Sequence, residues 1–132
     1  LWWFATGAIL WLDRQPRNTF AWSLACTGVI AVAGGVVVGL MATRTDAAAA
    51  YLAFTAAIAI WGWHEMAFLM GFVTGPRRTA LPDGVRGWKR FKLAAATVIH
   101  HELAIAATLI ALFAFTWGQP NQVAPMTFAL LW

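Results

Sequence analysis

The sequence predicts an all-α fold, a polytopic transmembrane helical bundle, and three observations carry that prediction. Hydrophobic residues make up 61% of the chain and charged residues only 11%, where a soluble domain carries roughly 25% charged residues. Mean hydropathy is +0.69, and the apolar residues fall into long uninterrupted segments separated by short polar connections. Nine tryptophans in 132 residues complete the picture, because tryptophan gathers at membrane–water interfaces.

The first apolar run, Leu1 to Leu12, is shorter than the roughly 17–25 residues that a spanning helix needs, and so is the last, Val123 to Trp132. Both read as partial helices, and residues 1–132 therefore read as one transmembrane domain cut from a longer chain at both ends. A cleavable signal peptide is not expected, since neither a charged n-region nor a small-residue cleavage site opens the sequence. Three complete segments lie between: Thr19 to Met41, Ala47 to about Thr74, and Phe91 to Trp117. The breaks are Asp13 to Asn18, Thr43 to Asp46, Gly75 to Arg90, and Gly118 to Gln122, three of them punctuated by proline or glycine.

Basic residues in these connections predict orientation, because short loops rich in Lys and Arg stay cytoplasmic. The first loop holds Arg14 and Arg17, the second only Arg44, the third Arg77, Arg78, Arg86, Lys89 and Arg90, and the fourth none. The alternation places the 75–90 loop in the cytoplasm and the 119–122 loop outside. The net charge of +4 is then a topology signal, no nucleic-acid partner is expected, and the basic stretch Arg77 to Lys92 is expected to contact membrane lipid of anionic charge or a partner's acidic surface.

Every histidine and every glutamate falls in one of two clusters, His64-Glu65 and His100-His101-Glu102, both inside apolar segments. An ionisable group at membrane depth costs roughly 2.5–3.5 kcal/mol on insertion scales. Counted from the expected helix ends, His64 and His100 lie about 16 and 14 Å from the cytoplasmic boundary at 1.5 Å per residue. A single polar layer between two antiparallel neighbours follows as the expectation. Adjacent residues on a helix diverge by about 100°, so His64 and Glu65 cannot both point straight at the next helix, nor can His100 and His101.

Four readings of this layer stand side by side. His and Glu can pair across helices to fix packing. They can bind a non-haem metal ion through His64, Glu65, His100, His101 and Glu102, although the Glu-x-x-His spacing of soluble di-iron bundles is absent. One neutral histidine, His64, His100 or His101, can ligate the magnesium of a bacteriochlorophyll. Ala96 and Thr97 stand four residues before His100 and His101, the small-residue spacing of light-harvesting helices, and Trp61 and Trp63 offer flat surfaces beside His64. Lastly, titrating groups at one depth are the raw material of a proton or ion path.

Other features have simpler explanations. Gly35-x-x-x-Gly39 and Gly71-x-x-x-Gly75 are close-approach spacings for helix packing. Trp11, Trp22, Trp88 and Trp117 read as interfacial belt residues. Cys26, the sole cysteine, excludes an internal disulfide and reads as a buried small filler in the second helix.

The runs Trp61 to Met66, Gly71 to Thr79, Val98 to Ala104 and Trp117 to Gln122, with Trp3 to Asp13 at the start, together resemble the PuhE family, described as photosynthetic-complex assembly proteins of purple phototrophic bacteria. The resemblance runs the length of the chain. It implies a multi-pass protein of the bacterial inner (intracytoplasmic) membrane, an assembly factor or accessory subunit associated with reaction-centre and light-harvesting subunits, with bacteriochlorophyll as a possible cargo. The alternative is a membrane metal oxidoreductase acting on a pigment or carotenoid. The resemblance carries over no catalytic residue, and the two clusters are the candidate site because they sit in its most recognisable stretches.

Overall fold

A computed structural model describes residues 1–132 as five α-helices and no strands: α1 (Trp2–Asp13), α2 (Phe20–Met41), α3 (Ala47–Leu69), α4 (Gly87–Phe115) and α5 (Val123–Leu131). A single 3-10 turn, Arg17–Thr19, leads into α2. The segments Arg17–Met41, Ala47–Leu69 and Gly87–Phe115 are each long and apolar enough to cross a membrane. These correspond to the three complete segments expected from hydropathy, with shifted ends.

The largest shift is at the end of α3, which closes at Leu69 rather than near Thr74. Gly71 takes φ +79, a conformation in which a side chain is strained. The Gly71 amide donates to the Phe68 carbonyl (2.9 Å) and the Phe72 amide to the Ala67 carbonyl (2.8 Å). That pair of bonds is a Schellman cap, which satisfies the last carbonyls and stops the helix. At the other side of the loop, α4 begins at Gly87, four residues before Phe91. Its 29 residues span roughly 43 Å at 1.5 Å per residue, more than the roughly 30 Å hydrocarbon core. The basic first turns, Lys89 to Lys92, are the part that can extend beyond it.

α3 is the central helix. It packs along α2 for most of its length and also meets α1, α4 and α5. Lipid is as apolar as leucine, so close packing of small residues rather than hydrophobicity drives such association. Ala49, Ala53, Ala56 and Ala57 are buried, and a Cβ on Gly34 of α2 would stand 3.1 Å from the Ala56 carbonyl oxygen. The close-approach glycine at this crossing is therefore Gly34. Gly35 and Gly71 face open space, while Gly39 lies under the Phe115 ring and Gly75 against α4, so neither Gly-x-x-x-Gly spacing acts as one seam.

α5 closes the bundle by placing Phe128, fully buried, in a core with Val38, Ala57, Ile60, Ile105 and Leu112. Pro125 lies in the first turn of α5, where a missing amide costs no helical bond. The connection before it is held by Asn121, which is buried. Its Nδ2 donates to the Met41 carbonyl (3.1 Å), its amide to the Ala42 carbonyl (3.0 Å), and its Oδ1 accepts from the Val123 amide (3.1 Å). One side chain thus satisfies terminal groups of two helices, α2 and α5.

Asp46 caps α3: its carboxylate accepts from the Ala49 amide at 3.0 Å and pairs with Arg44 Nε at 2.9 Å. The amide bond first, and Arg44 second, hold its carboxyl below the ordinary value. A lowered folded value means that the cap is fully formed above the unfolded pKa of about 4 and is lost as pH falls through the lowered value. Hydrogen-exchange protection at Ala49 and Ala50 should therefore fall on acidification in the natural chain, and should be low and free of this transition in Asp46→Ala. Equal protection in the two chains at neutral pH would argue against the cap.

Two smaller expectations resolve at the surface. Trp11, Trp22, Trp88 and Trp117 are all exposed, as belt residues must be. Cys26 is exposed on α2, not buried, because the α2 face that meets α3 runs through Gly34 and Val38 instead.

Candidate polar site between α3 and α4

The buried seam of α4 is His101, Ile105 and Leu112, a spacing of four and seven that keeps one helical face inward. Thr108 lies on the same seam, and its hydroxyl is hydrogen-bonded to His64 Nε2 at 2.9 Å. One step down α3, Glu65 Oε1 lies 3.7 Å from His101 Nε2. Phe68 stacks on the His101 ring, with centroids 4.5 Å apart and planes 29° apart. The antiparallel register is thus fixed by three successive contacts: Phe68 and Glu65 on His101, then His64 on Thr108.

The two clusters meet, but not as one shell of five ligands. Glu65 and His101 face each other. His64 is buried two turns further along α4, between the Trp63 ring (5.2 Å) and the Phe128 ring (6.0 Å). Glu102 turns aside to accept a hydrogen bond from the Trp132 indole at 2.8 Å. His100 stands on the exposed face of α4. Nowhere do three or more His, Cys, Asp and Glu side chains converge in a metal-ligating group, so the donors on this chain do not by themselves fit a resident metal ion.

The expected equal depth needs restating too. His64 is five residues from the end of α3 and His100 thirteen from the start of α4, about 8 and 20 Å at 1.5 Å per residue. The offset arises because α4 projects past the Schellman cap of α3. Register, not distance from the helix ends, aligns Glu65 with His101.

Of the two tryptophans, Trp63 has its ring against His64. Trp61 packs on the core, and the Trp63 indole donates to the Leu24 carbonyl of α2 at 3.2 Å, lying over Gly28.

The residues after α3 also build the site. From Gly71 the chain runs back along α4: the Arg77 amide donates to the Ala96 carbonyl and the His101 amide to the Thr74 carbonyl, both at 3.0 Å. A loop carbonyl has thus entered the α4 ladder beside His101, a known cause of helix distortion. The Thr74 hydroxyl and His101 Nδ1 are buried with no hydrogen-bond partner in the chain. Thr74, Phe68 and Thr108 were not singled out from the sequence. Thr108 carried a usable signal, since it is polar and seven residues from His101; Thr74 carried none, because nothing local announces that a loop folds against a helix.

The whole chain, residues 1–132, matches the model of a family described as "Protein of unknown function (DUF3623)". It is also similar to an uncharacterised 30.4 kDa protein in the puhA 5′ region of Rhodobacter capsulatus, 33% identical over 135 residues. That alignment covers 99% of this chain and 49% of the relative, so the chain spans about half the length of the curated relative it matches. No solved structure matches it. With every residue from 1 to 132 inside the match, the helices and the polar site described above are those of a member of the DUF3623 family.

Proposed function

We propose that this chain is a membrane-embedded part of a photosynthetic-complex assembly protein, of the kind the PuhE resemblance implies, and that it offers His100 to a bacteriochlorophyll. The puhA-region setting of the relative supports a photosynthesis-related role. The observation that carries the pigment reading is the exposure of His100. Of the three imidazoles, His64 is engaged by Thr108 and His101 lies under Phe68 against Glu65. Only His100 is exposed, on the outer surface of α4.

The surroundings of His100 fit a chlorin. Ile99 and Leu103 beside it are exposed apolar side chains, and Ala96 stands one turn earlier. A bound bacteriochlorophyll would supply a magnesium ion, His100 would hold it as a neutral imidazole, and α4 would fix its depth. The half-buried Glu65–His101 contact one residue away holds that part of α4 in register against α3, a positioning role. The basic end of the bundle, Arg77 to Lys92, then faces the cytoplasm of the inner membrane and suits an acidic surface on a reaction-centre or light-harvesting subunit.

The test is the absorption spectrum of the full-length protein purified from phototrophic membranes. Chlorin bands are expected, reduced at least about tenfold in His100→Leu and retained in His64→Leu. Stoichiometric iron without pigment would support the oxidoreductase alternative instead. Pigment that survives His100→Leu would remove His100 from the site.

A further inference from the structure

Beyond that reading, we infer that the seam between α1 and α3 binds one anionic phospholipid, its phosphate held by Arg17 and Arg78 and one acyl chain seated between α1, α2 and α3. Two neighbouring cavities carry the inference. The first, about 270 Å³, is almost wholly apolar and is lined by Leu12, Ile30, Trp63 and Met66 among others. The second, about 590 Å³, is polar and is lined by Asp13, Gln15, Arg17 and Arg78, with Leu69 and Gly71 on its α3 side.

They are consecutive along both walls. On α1 the apolar lining ends at Leu12 and the polar lining starts at Asp13; on α3 the apolar lining ends at Met66 and the polar lining starts at Leu69. An apolar slot followed along both helices by a basic pocket has the polarity profile of an amphiphile with an anionic head. The slot also reaches the bilayer past Ala8, which lines it and is exposed. A chain seated there can therefore continue into lipid.

Charge decides the sign of the head. The ion pairs of the structure are Arg44–Asp46 and His101–Glu65, so Arg17 and Arg78 are not neutralised by a carboxylate of this chain. Asp13 is the one acidic side chain in the pocket, against two guanidinium groups. Guanidinium forks match phosphate oxygens in bidentate geometry, and basic pockets between helices at the membrane surface recognise anionic headgroups. Arg17 comes from the turn before α2 and Arg78 from the loop after α3, so only the folded bundle brings the two together.

The experiment uses the full-length protein in nanodiscs of equimolar phosphatidylglycerol and phosphatidylcholine, followed by delipidation and native mass spectrometry. One phosphatidylglycerol is expected to stay bound, enriched about thirtyfold over phosphatidylcholine for two arginine contacts. Arg17→Gln with Arg78→Gln should abolish the enrichment, whereas Arg86→Gln with Arg90→Gln, an equal loss of charge outside the pocket, should not. Ala8→Phe, which fills the slot from its exposed rim, should lower retention at least about tenfold with no change in thermal unfolding. Equal retention of both lipids, equal effects of the two arginine pairs, or no effect of Ala8→Phe would each overturn the site. Glycerol phosphate displacing the lipid as readily as a diacyl competitor would show a soluble-anion pocket and overturn it too.

Discussion

Gly75→Ala is expected to cost roughly 3 kcal/mol, the upper end of the range for overpacking, although it adds a single methyl group. A Cβ at this position would overlap the Ala96 carbonyl oxygen and lie 2.7 Å from the Thr97 carbonyl carbon. Both are backbone atoms of α4, so no side-chain rotation can relieve the clash. The chain from Thr74 to Arg77 must lift away, and with it go the Arg77–Ala96 and His101–Thr74 hydrogen bonds. Unfolding in mixed micelles should show the loss, and exchange at the Arg77 amide should quicken even under native conditions. Gly84→Ala supplies the comparison within the same loop. Its φ is +76 but no atom stands within 4 Å of a Cβ there, so the cost should stay near 1 kcal/mol. If Gly75→Ala were as mild as Gly84→Ala, the docking of this loop on α4 would not be part of the stable fold.

The second large effect is expected at the contact between Glu65 and His101. Replacing either residue alone by leucine should cost about 2 kcal/mol, because it leaves the other polar group facing an apolar wall. Breaking a fully buried pair costs roughly 3–5 kcal/mol. The smaller figure applies because 26% of the Glu65 side chain is exposed, against 7% for His101. Replacing both together should recover most of the loss, since an apolar pair of similar volume has no desolvation to offset. A double-mutant cycle in mixed micelles measures this coupling. Additive losses would mean that the 3.7 Å approach carries no energy. The same double variant separates packing from pigment handling: it should keep its chlorin bands if His100 is the ligand, provided α4 stays in register.

Much of the fold was legible because a bilayer leaves few choices. Backbone groups in hydrocarbon must be satisfied within the segment, so an apolar run of sufficient length forms a helix. The runs beginning at Thr19 and Ala47 both became helices within a residue of the expected start. Helix ends were less legible where loop conformation decided them. Gly71, rather than Gly75, closed α3 through its positive φ, and nothing in the hydropathy of Phe72 to Thr74 distinguishes a capped loop from another turn of helix.

For the candidate site, the sequence isolated the residues and the tertiary structure decided their contacts. Hydropathy alone isolates His64, Glu65, His100, His101 and Glu102 as the costly groups in an apolar chain, because that cost depends only on residue type and depth. Which imidazole faces which partner depends on rotation and register of α3 against α4, and these are set by contacts far apart in sequence: Gly34 under Ala56, Phe128 within the core, Thr74 on the His101 amide. Those contacts sent His101 to Glu65, His64 to Thr108 and Glu102 to Trp132, and left His100 at the surface. Likewise, composition announced a basic end to the bundle, but only folding placed Arg17 and Arg78 in one pocket. A helix fixes the angle between its own side chains, and the packing of one helix on another decides which of those angles points inward.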